Sequence, residues 1–315
     1  MKLSVAMATY NGDKFIFKQL ESLKSQTRKA DEVIIYDDCS TDDTAVIVRN
    51  FIVSNKLSGW RLFVGKSNCG FKRNFFKVIS KTTGEIIFLC DQDDVWKVDK
   101  LEKMAEIMEK HSEILSLGTA CELIDFRGRK IKSSSGFLSE SLDESFVGNA
   151  TIKLTAAQLS GGNMFPGCSM AFSSKIKQLY LDEAGCMLCH DYLINLLAAL
   201  KNGLYYLNTP LTKYRIHSRN AIGISGEGQR PLKSDRINES VQTVRLIRKY
   251  SRQLRGDEQL FNMLMLHLSR AACLKGITLT KFIKLIRYAV KAKKLYSAGR
   301  FVADMCYILK LEKLF

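Results

Sequence analysis

Short apolar runs recur along the first ninety residues, and each is followed by a cluster of small or acidic polar residues. Leu3–Ala8, Glu32–Tyr36, Arg61–Val64 and Ile86–Cys90 are four such runs. Their length and their β-branched and aromatic content predict buried strands. Between them, Asp13–Ser25, Thr41–Ser54 and Phe71–Lys81 carry apolar residues at helical spacing. Strands alternating with helices predict an α/β fold with a mostly parallel, doubly wound sheet. The connections are short. Thr9-Tyr10-Asn11-Gly12 follows the first strand, Asp37-Asp38-Cys39-Ser40 the second and Asp91-Gln92-Asp93-Asp94 the fourth. Parallel strands bring all three to one edge of the sheet, the edge at which open α/β sheets bind ligands.

From about residue 115 the pattern is more mixed. A hairpin is expected around Arg127-Gly128, then a polar stretch from Ser133 to Asn149, then a loop at Gly161-Gly162-Asn163 before a strand at Cys168–Phe172. Asp191–Leu200 reads as an apolar helix, Leu204–Leu207 and Leu211–Ile216 as extended segments, and Gly223–Gly228 as a linker or lid. Beyond it the chain reads as helical almost to Phe315. The expected organisation is one domain at 1–222, with halves at about 1–112 and 113–222, a linker at 223–234 and a basic helical appendage at 235–315.

Composition narrows the class. With 46% hydrophobic residues and three prolines in 315, the chain can bury a full core. No stretch reaches the length of a membrane span, and Met1–Val5 does not open a signal peptide. Nine irregularly spaced cysteines fit reduced thiols, so a cytoplasmic protein is expected. Cys186-Met-Leu-Cys189-His190 matches a haem-attachment pattern. Without an export signal it is read as packing.

The net charge is +16, and residues 232–315 hold 18 Lys and Arg against 6 Asp and Glu. Within that region Leu279, Phe282, Ile283, Ile286 and Val290 share one helical face, with Lys281, Lys284, Arg287, Lys291 and Lys294 largely elsewhere. Such a helix suits a membrane surface carrying anionic lipid. The alternative is that its apolar face packs on Phe261–Leu268 or on the domain at 1–222, with the lysines solvated. No nucleic-acid module accompanies the charge, so no nucleic-acid partner is expected.

Three carboxylates within Asp91–Asp94 repel one another at a strand end. A hard divalent cation, Mg²⁺ or Mn²⁺, carrying a phosphorylated ligand would hold them. The rival reading is an acidic turn capping a helix from about Val98 through Asp94 or Asp99.

The order of the motifs resembles that of the inverting GT-A glycosyltransferases of family 2. The match runs through Met7-Ala-Thr-Tyr-Asn-Gly12, Tyr36-Asp-Asp-Cys-Ser-Thr-Asp42, Asn68-Cys-Gly70, Cys90-Asp-Gln-Asp-Asp-Val-Trp96, His190-Asp191 and Tyr214-Arg-Ile-His-Ser-Arg-Asn220. It covers roughly residues 1–222, and Asp-Gln-Asp-Asp-Val-Trp with Tyr-Arg-x-His looks most like the bacterial rhamnosyltransferase-like branch. The resemblance implies the GT-A fold and transfer of a sugar from a nucleotide diphosphate to a glycan or lipid-linked glycan. The donor would be dTDP-rhamnose or a UDP-hexose, and the work would be done at the cytosolic face of the membrane.

It also implies roles. Asp93, Asp94 and His217 would hold the metal. Thr9, Tyr10, Asn11, Asp38, Asn68, Arg73, Asp91, Asp93 and Arg215 would contact the donor, with Asp38 on the pyrimidine base and Arg215 and Arg219 screening the diphosphate. On the residues alone, Asp37 or Asp38 would start a turn, Ser40 or Thr41 would cap the following helix, and Asn68 and Gly70 would shape a tight turn. Asp191 would be the general base; the family usually has Glu-Asp where this chain has His190-Asp191. A nucleotidyltransferase would need a basic Gly-rich loop after the first strand, and a dehydrogenase a G-x-G-x-x-G there. Thr9–Gly12 is neither. A basic nucleic-acid- or membrane-binding protein without turnover is the alternative from another class.

Overall fold

The computed structural model describes residues 1–131, 151–159, 162–186, 188–217, 233–250, 258–276 and 278–291. The expected polar stretch at 133–149, residues 223–232 of the linker, and Gly161, Arg219, Asn220 and Lys294 lie outside them.

The chain divides into two compact units. Unit one comprises Met1–Lys153, Met164–Ala184 and Gly203–Gly228; unit two comprises Leu154–Asn163, Gly185–Asn202 and Gln229–Phe315.

Unit one is built on a sheet whose first half follows the sequence pattern closely. Its strands are β1 (Leu3–Thr9), β2 (Glu32–Asp37), β3 (Trp60–Val64) and β4 (Ile86–Asp91), in the order β3-β2-β1-β4 and all parallel. The helices α1 (Asp13–Lys24), α2 (Thr44–Ser54) and α3 (Phe71–Lys81) connect them. The order reverses at β1, so right-handed crossovers put α1 and α2 on one face and α3 on the other. Leu3, Val5 and Met7 of β1 join Ile16, Leu20, Leu23, Val48 and Phe51 in one core cluster, while the small residues Ser4, Ala6 and Ala8 alternate with them.

The second half mixes directions. The short β5 (Val95–Trp96) precedes α4 (Lys100–Lys110), then come β6 (Ser116–Ile124), β7 (Thr151–Leu154), β8 (Met170–Ser173), α6 (Ser174–Asp182) and β9 (Leu204–Arg215). A four-residue helix, α5 (Ala156–Leu159), follows β7 in the chain. β8 lies antiparallel between β4 and β6, and β9 runs parallel to β6. The two segments expected near 204–216 are one strand whose register shifts around Pro210. Proline has no N–H for the ladder, so the irregularity falls there. The hairpin turn is as expected: Asp125–Gly128 closes it, with Gly128 at φ +86°.

One expectation is corrected. Neither Ser40 nor Thr41 caps α2, which begins at Thr44 with Asp43 at the cap position. Ser40 Oγ instead donates to Asp37 Oδ1 at 2.6 Å, and Thr41 N–H donates to Asn11 Oδ1 at 2.9 Å.

Arg28, just past α1, grips Glu109 of α4 through both guanidinium nitrogens at 2.9 and 2.7 Å. These bonds bring the Glu109 carboxyl down to about 2. A depressed carboxylate stabilises the fold above its unfolded value near 4.5 and ceases to as pH falls toward 2. Glu109→Gln is therefore expected to cost about 1 kcal/mol at neutral pH. The melting-temperature gap to wild type should close as pH is lowered through that window.

Unit two is helical. α7 (His190–Leu200) is buried along its whole length, and a helix buried on all faces needs partners on every side. Within this unit α5 packs against α7 and α9 (Glu258–Lys275), α8 (Lys233–Tyr250) against α7 and α9, and α10 (Leu279–Lys291) against α9. Among the described residues no helix is long and apolar enough to cross a membrane.

Candidate functional site

The loops after β1, β2 and β4 meet at the carboxyl edge of the parallel strands and are fastened by side chains. Asp37, fully buried, accepts from Thr9 Oγ1 at 2.8 Å and from the N–H of Ser40 at 2.8 Å. Asn11 has φ +48°, a left-handed conformation that asparagine tolerates, and its N–H donates to Ser40 Oγ at 2.9 Å. Gln92 clamps the first loop: its Oε1 accepts from Tyr10 N–H and its Nε2 donates to Tyr10 C=O, both at 2.8 Å. A Cβ on Gly12 would sit 2.3 Å from Gln92 Oε1, which explains a glycine there. Gly12→Ala is expected to push the Gln92 amide off Tyr10 and to cost about 1–2 kcal/mol, the worth of two hydrogen bonds. In a Gln92→Ala background the same change should cost far less, which a double-mutant cycle on urea midpoints would read.

These loops border a cavity of about 550 Å³ lined by Tyr10, Asn11, Gly12, Asp13, Lys14, Phe15, Gln92, Phe126 and His217. Tyr10 is 43% exposed, so its ring is available to a ligand. Thr9 is 2% exposed and its hydroxyl is committed to Asp37, which puts it beneath the cavity.

The acidic cluster is divided in two. Asp93, at the more open end, lies with Oδ2 2.9 Å from His217 Nε2. His217 is stacked on Phe15 with 4.8 Å between ring centroids. Asp94 is 1% exposed and accepts from the backbone N–H of Arg215 at 2.9 Å. Its other oxygen, Oδ2, is buried and receives no N–H or O–H donor. Burial, then the charge of Asp93, push the Asp94 carboxyl well above the usual carboxylate range, against the pull of the Cys168 thiol and the Arg215 N–H. Asp91, Asp94 and Cys168 offer ligand atoms within 4.8 Å of one another. A buried carboxylate oxygen with no N–H or O–H donor, with the Asp91 carboxylate within 4.8 Å, fits a divalent cation. His217, which pairs with Asp93, lines the cavity.

Two residues sit differently from the roles the motifs imply. Arg215 is 1% exposed; its Nε donates to Asp93 C=O at 2.7 Å and its Nη1 to the carbonyls of Asp125 and Phe126 at 2.9 and 3.2 Å. The guanidinium also lies 4.9 Å from the Phe15 ring centroid. It braces the acidic loop from inside, rather than reaching a diphosphate. Asp38 is likewise 1% exposed. Its carboxylate accepts from Cys69 N–H, Gly70 N–H and the Cys69 thiol, so it shapes that turn instead of offering an oxygen to a base. Asn68 Oδ1 accepts from Gly70 N–H at 3.0 Å and Gly70 has φ +83°, which gives the tight turn the sequence suggested. Arg73 is exposed on the first turn of α3.

Sequence reasoning missed Lys100. It is fully buried in α4, lies 3.8 Å from the Trp96 ring centroid, and donates to Thr212 Oγ1 at 2.9 Å and to Cys168 C=O. Burial holds its pKa below the ordinary lysine value. A lysine four residues after a tryptophan is too common a pattern to have marked it. Gln92 was visible inside Asp-Gln-Asp-Asp but carries no charge, so only its geometry reveals the clamp.

Asp191 belongs to unit two, in the first turn of α7, where acidic residues favour the helix dipole. It is 9% exposed, and its Oδ2 accepts from Asn163 Nδ2 at 2.8 Å. Asn195 Nδ2 in turn donates to Asn163 Oδ1 at 3.2 Å, so the carboxylate is oriented through a short chain of amides. His190 and Cys189 adjoin it.

Comparison with known proteins agrees with this layout. The model of the Glycosyl transferase family 2 matches residues 4–175, more than half of the chain. The uncharacterized glycosyltransferase alr2836 of Nostoc sp. is 25% identical over 225 residues, 70% of this chain and 66% of that protein. The poly(ribitol-phosphate) beta-N-acetylglucosaminyltransferase TarS of Staphylococcus aureus is 34% identical over 118 residues, 36% of this chain and 20% of TarS. The chain thus spans between a fifth and about two thirds of these relatives. The structure of TarS residues 1–349 in complex with UDP-GlcNAc aligns with a TM-score of 0.59 and 19% identity, covering 94% of this chain and 82% of that one. That likeness is one of fold, and the fold is GT-A. The chain belongs to glycosyl transferase family 2.

Proposed function

We propose that this enzyme moves a sugar, with inversion, from a pyrimidine-nucleotide diphosphate to a glycan or lipid-linked glycan of a bacterial surface polysaccharide, in the cytoplasm. The observation that carries this reading is the cavity of about 550 Å³ lined by the exposed Tyr10 and by His217, whose imidazole pairs with Asp93. Tyr10 suits stacking of a base, while Asn11 and the start of α1 suit an anionic group. Asp93 and His217 would hold Mg²⁺ or Mn²⁺, with Asp94 Oδ2 and Asp91 behind them. The bound cation supplies neutralisation of the negative charge that develops on the departing diphosphate. Arg215 and Gln92 keep the acidic loop and the first loop in register, and Phe15 and Phe126 exclude water from one wall.

Asp191 acts as the base. Its carboxylate takes the proton of the acceptor hydroxyl as that oxygen bonds to the anomeric carbon, and the bond from that carbon to the diphosphate oxygen breaks. The leading donor is dTDP-rhamnose, supported by the Asp-Gln-Asp-Asp-Val-Trp and Tyr-Arg-x-His motifs. The second reading is UDP-N-acetylglucosamine, favoured by the similarity to TarS.

Thermal unfolding with each nucleotide sugar, in Mn²⁺ and in EDTA, tests the reading. A donor at a hundredfold its dissociation constant adds about 2.7 kcal/mol. Stabilisation by one pyrimidine nucleotide sugar only in Mn²⁺ is expected. Equal stabilisation in EDTA would remove the metal from the proposal, and no response to any donor would overturn the donor class.

A further inference from the structure

Helix α10, the last among the described residues, presents two different faces. It packs within unit two through Leu285, which is fully buried, with Tyr288 and Ala289 partly buried against Met263, Leu266, Cys273 and Leu274. Most of the apolar stripe read from the sequence points elsewhere. Leu279, Ile283, Ile286 and Val290 recur at i, i+4, i+7 and i+11 and are 74, 56, 38 and 62% exposed. Beside the stripe runs a band of exposed Lys284, Arg287 and Lys291. Lys281 is not part of that band, because its ammonium donates to the C=O of Gly276 at 2.8 Å. From Gln259 to Ala303 the chain contains no acidic residue.

Four large aliphatic side chains in a row on an exposed helix are costly in water, and lone exposed residues would need no explanation. The occupant must match both the stripe and the band. A second copy of this helix would bring two basic bands together. A nucleic acid would match the band and leave the stripe in water. A membrane surface with anionic headgroups matches both, since aliphatic side chains enter the headgroup–acyl boundary while lysine and arginine reach lipid phosphates.

We propose that α10 docks the protein on an anionic lipid surface, with Leu279, Ile283, Ile286 and Val290 immersed and Lys284, Arg287 and Lys291 over the phosphates. The docking is independent of the donor chemistry and does not require the catalytic reading to be right.

Flotation of the full chain with phosphatidylcholine vesicles, with and without phosphatidylglycerol, tests it. Wild type is expected to float with the anionic vesicles, less so as salt rises, and poorly with pure phosphatidylcholine. Ile283→Glu/Val290→Glu alters only exposed positions, so its circular dichroism and melting temperature should match wild type while flotation falls more than tenfold. Lys284→Gln and Arg287→Gln should each weaken flotation about fivefold. Wild type that ignores anionic vesicles, or a double-glutamate variant that still floats, overturns the proposal. So would self-association of wild type, read by sedimentation equilibrium, that vanishes in the double-glutamate variant, since the stripe would then belong to a second copy. Salt-sensitive retention on duplex DNA without vesicle binding would assign the basic band to nucleic acid instead.

Discussion

Asp191→Asn is expected to lower turnover by about 10²–10⁴-fold, the range that a positioned general base contributes. Asparagine has nearly the shape of aspartate and can still accept the hydrogen bond from Asn163, so α7 should keep its first turn. What it loses is the capacity to take a proton. Stabilisation by the nucleotide sugar should therefore be unchanged, and single-turnover rates should carry the whole loss. Undiminished turnover would remove Asp191 from the chemistry. Equal losses of turnover and donor binding would make it a residue that shapes the fold.

Arg215→Met should have the largest effect on stability. The guanidinium is buried and serves the carbonyls of Asp93, Asp125 and Phe126 at once, besides lying over Phe15. Methionine fills part of the volume but leaves three part-buried carbonyls without their donor, and nothing replaces the positive charge beside Asp93 and Asp94. Removing one partner from such a buried charged network costs about 3–5 kcal/mol. At roughly 2–4 °C per kcal/mol for a domain of this size, the melting temperature should drop by about 10 °C. If Arg215 instead served chiefly to bind diphosphate, the variant would melt like wild type and lose only its response to nucleotide sugars.

Arg215 also shows how far the sequence could be read. The residues bounding the first four strands and α3 were legible because each apolar run is closed by glycine or a polar cluster, and Phe71–Lys81 is the helix its periodicity predicts. The motifs put the acidic loop, Tyr10 and His217 at one sheet edge, and they meet there. A linear motif reports which residues gather, but not which of them face inward. Arg215 and Asp38 were both read as donor contacts, and both are turned into the protein by bonds to backbone segments distant in sequence. The same limit applies to α10, where periodicity found an apolar face. Three positions off the stripe, Leu285, Tyr288 and Ala289, are the ones that pack. The fit of Gly12 beneath Gln92 was out of reach for another reason: it depends on a side chain eighty positions away filling the space that a Cβ on Gly12 would take.

The cross-braced loops carry one more consequence. Thr9 on Asp37, Asn11 on Ser40 and Gln92 on Tyr10 hold the rim of the cavity in shape through the protein's own hydrogen bonds. A donor entering such a rim has few backbone segments to order, so little of its affinity is offset by lost chain entropy. Differences in affinity among nucleotide sugars would then measure their own contacts with the walls. Association should be fast and nearly insensitive to which sugar is attached, with discrimination appearing in how long each donor stays.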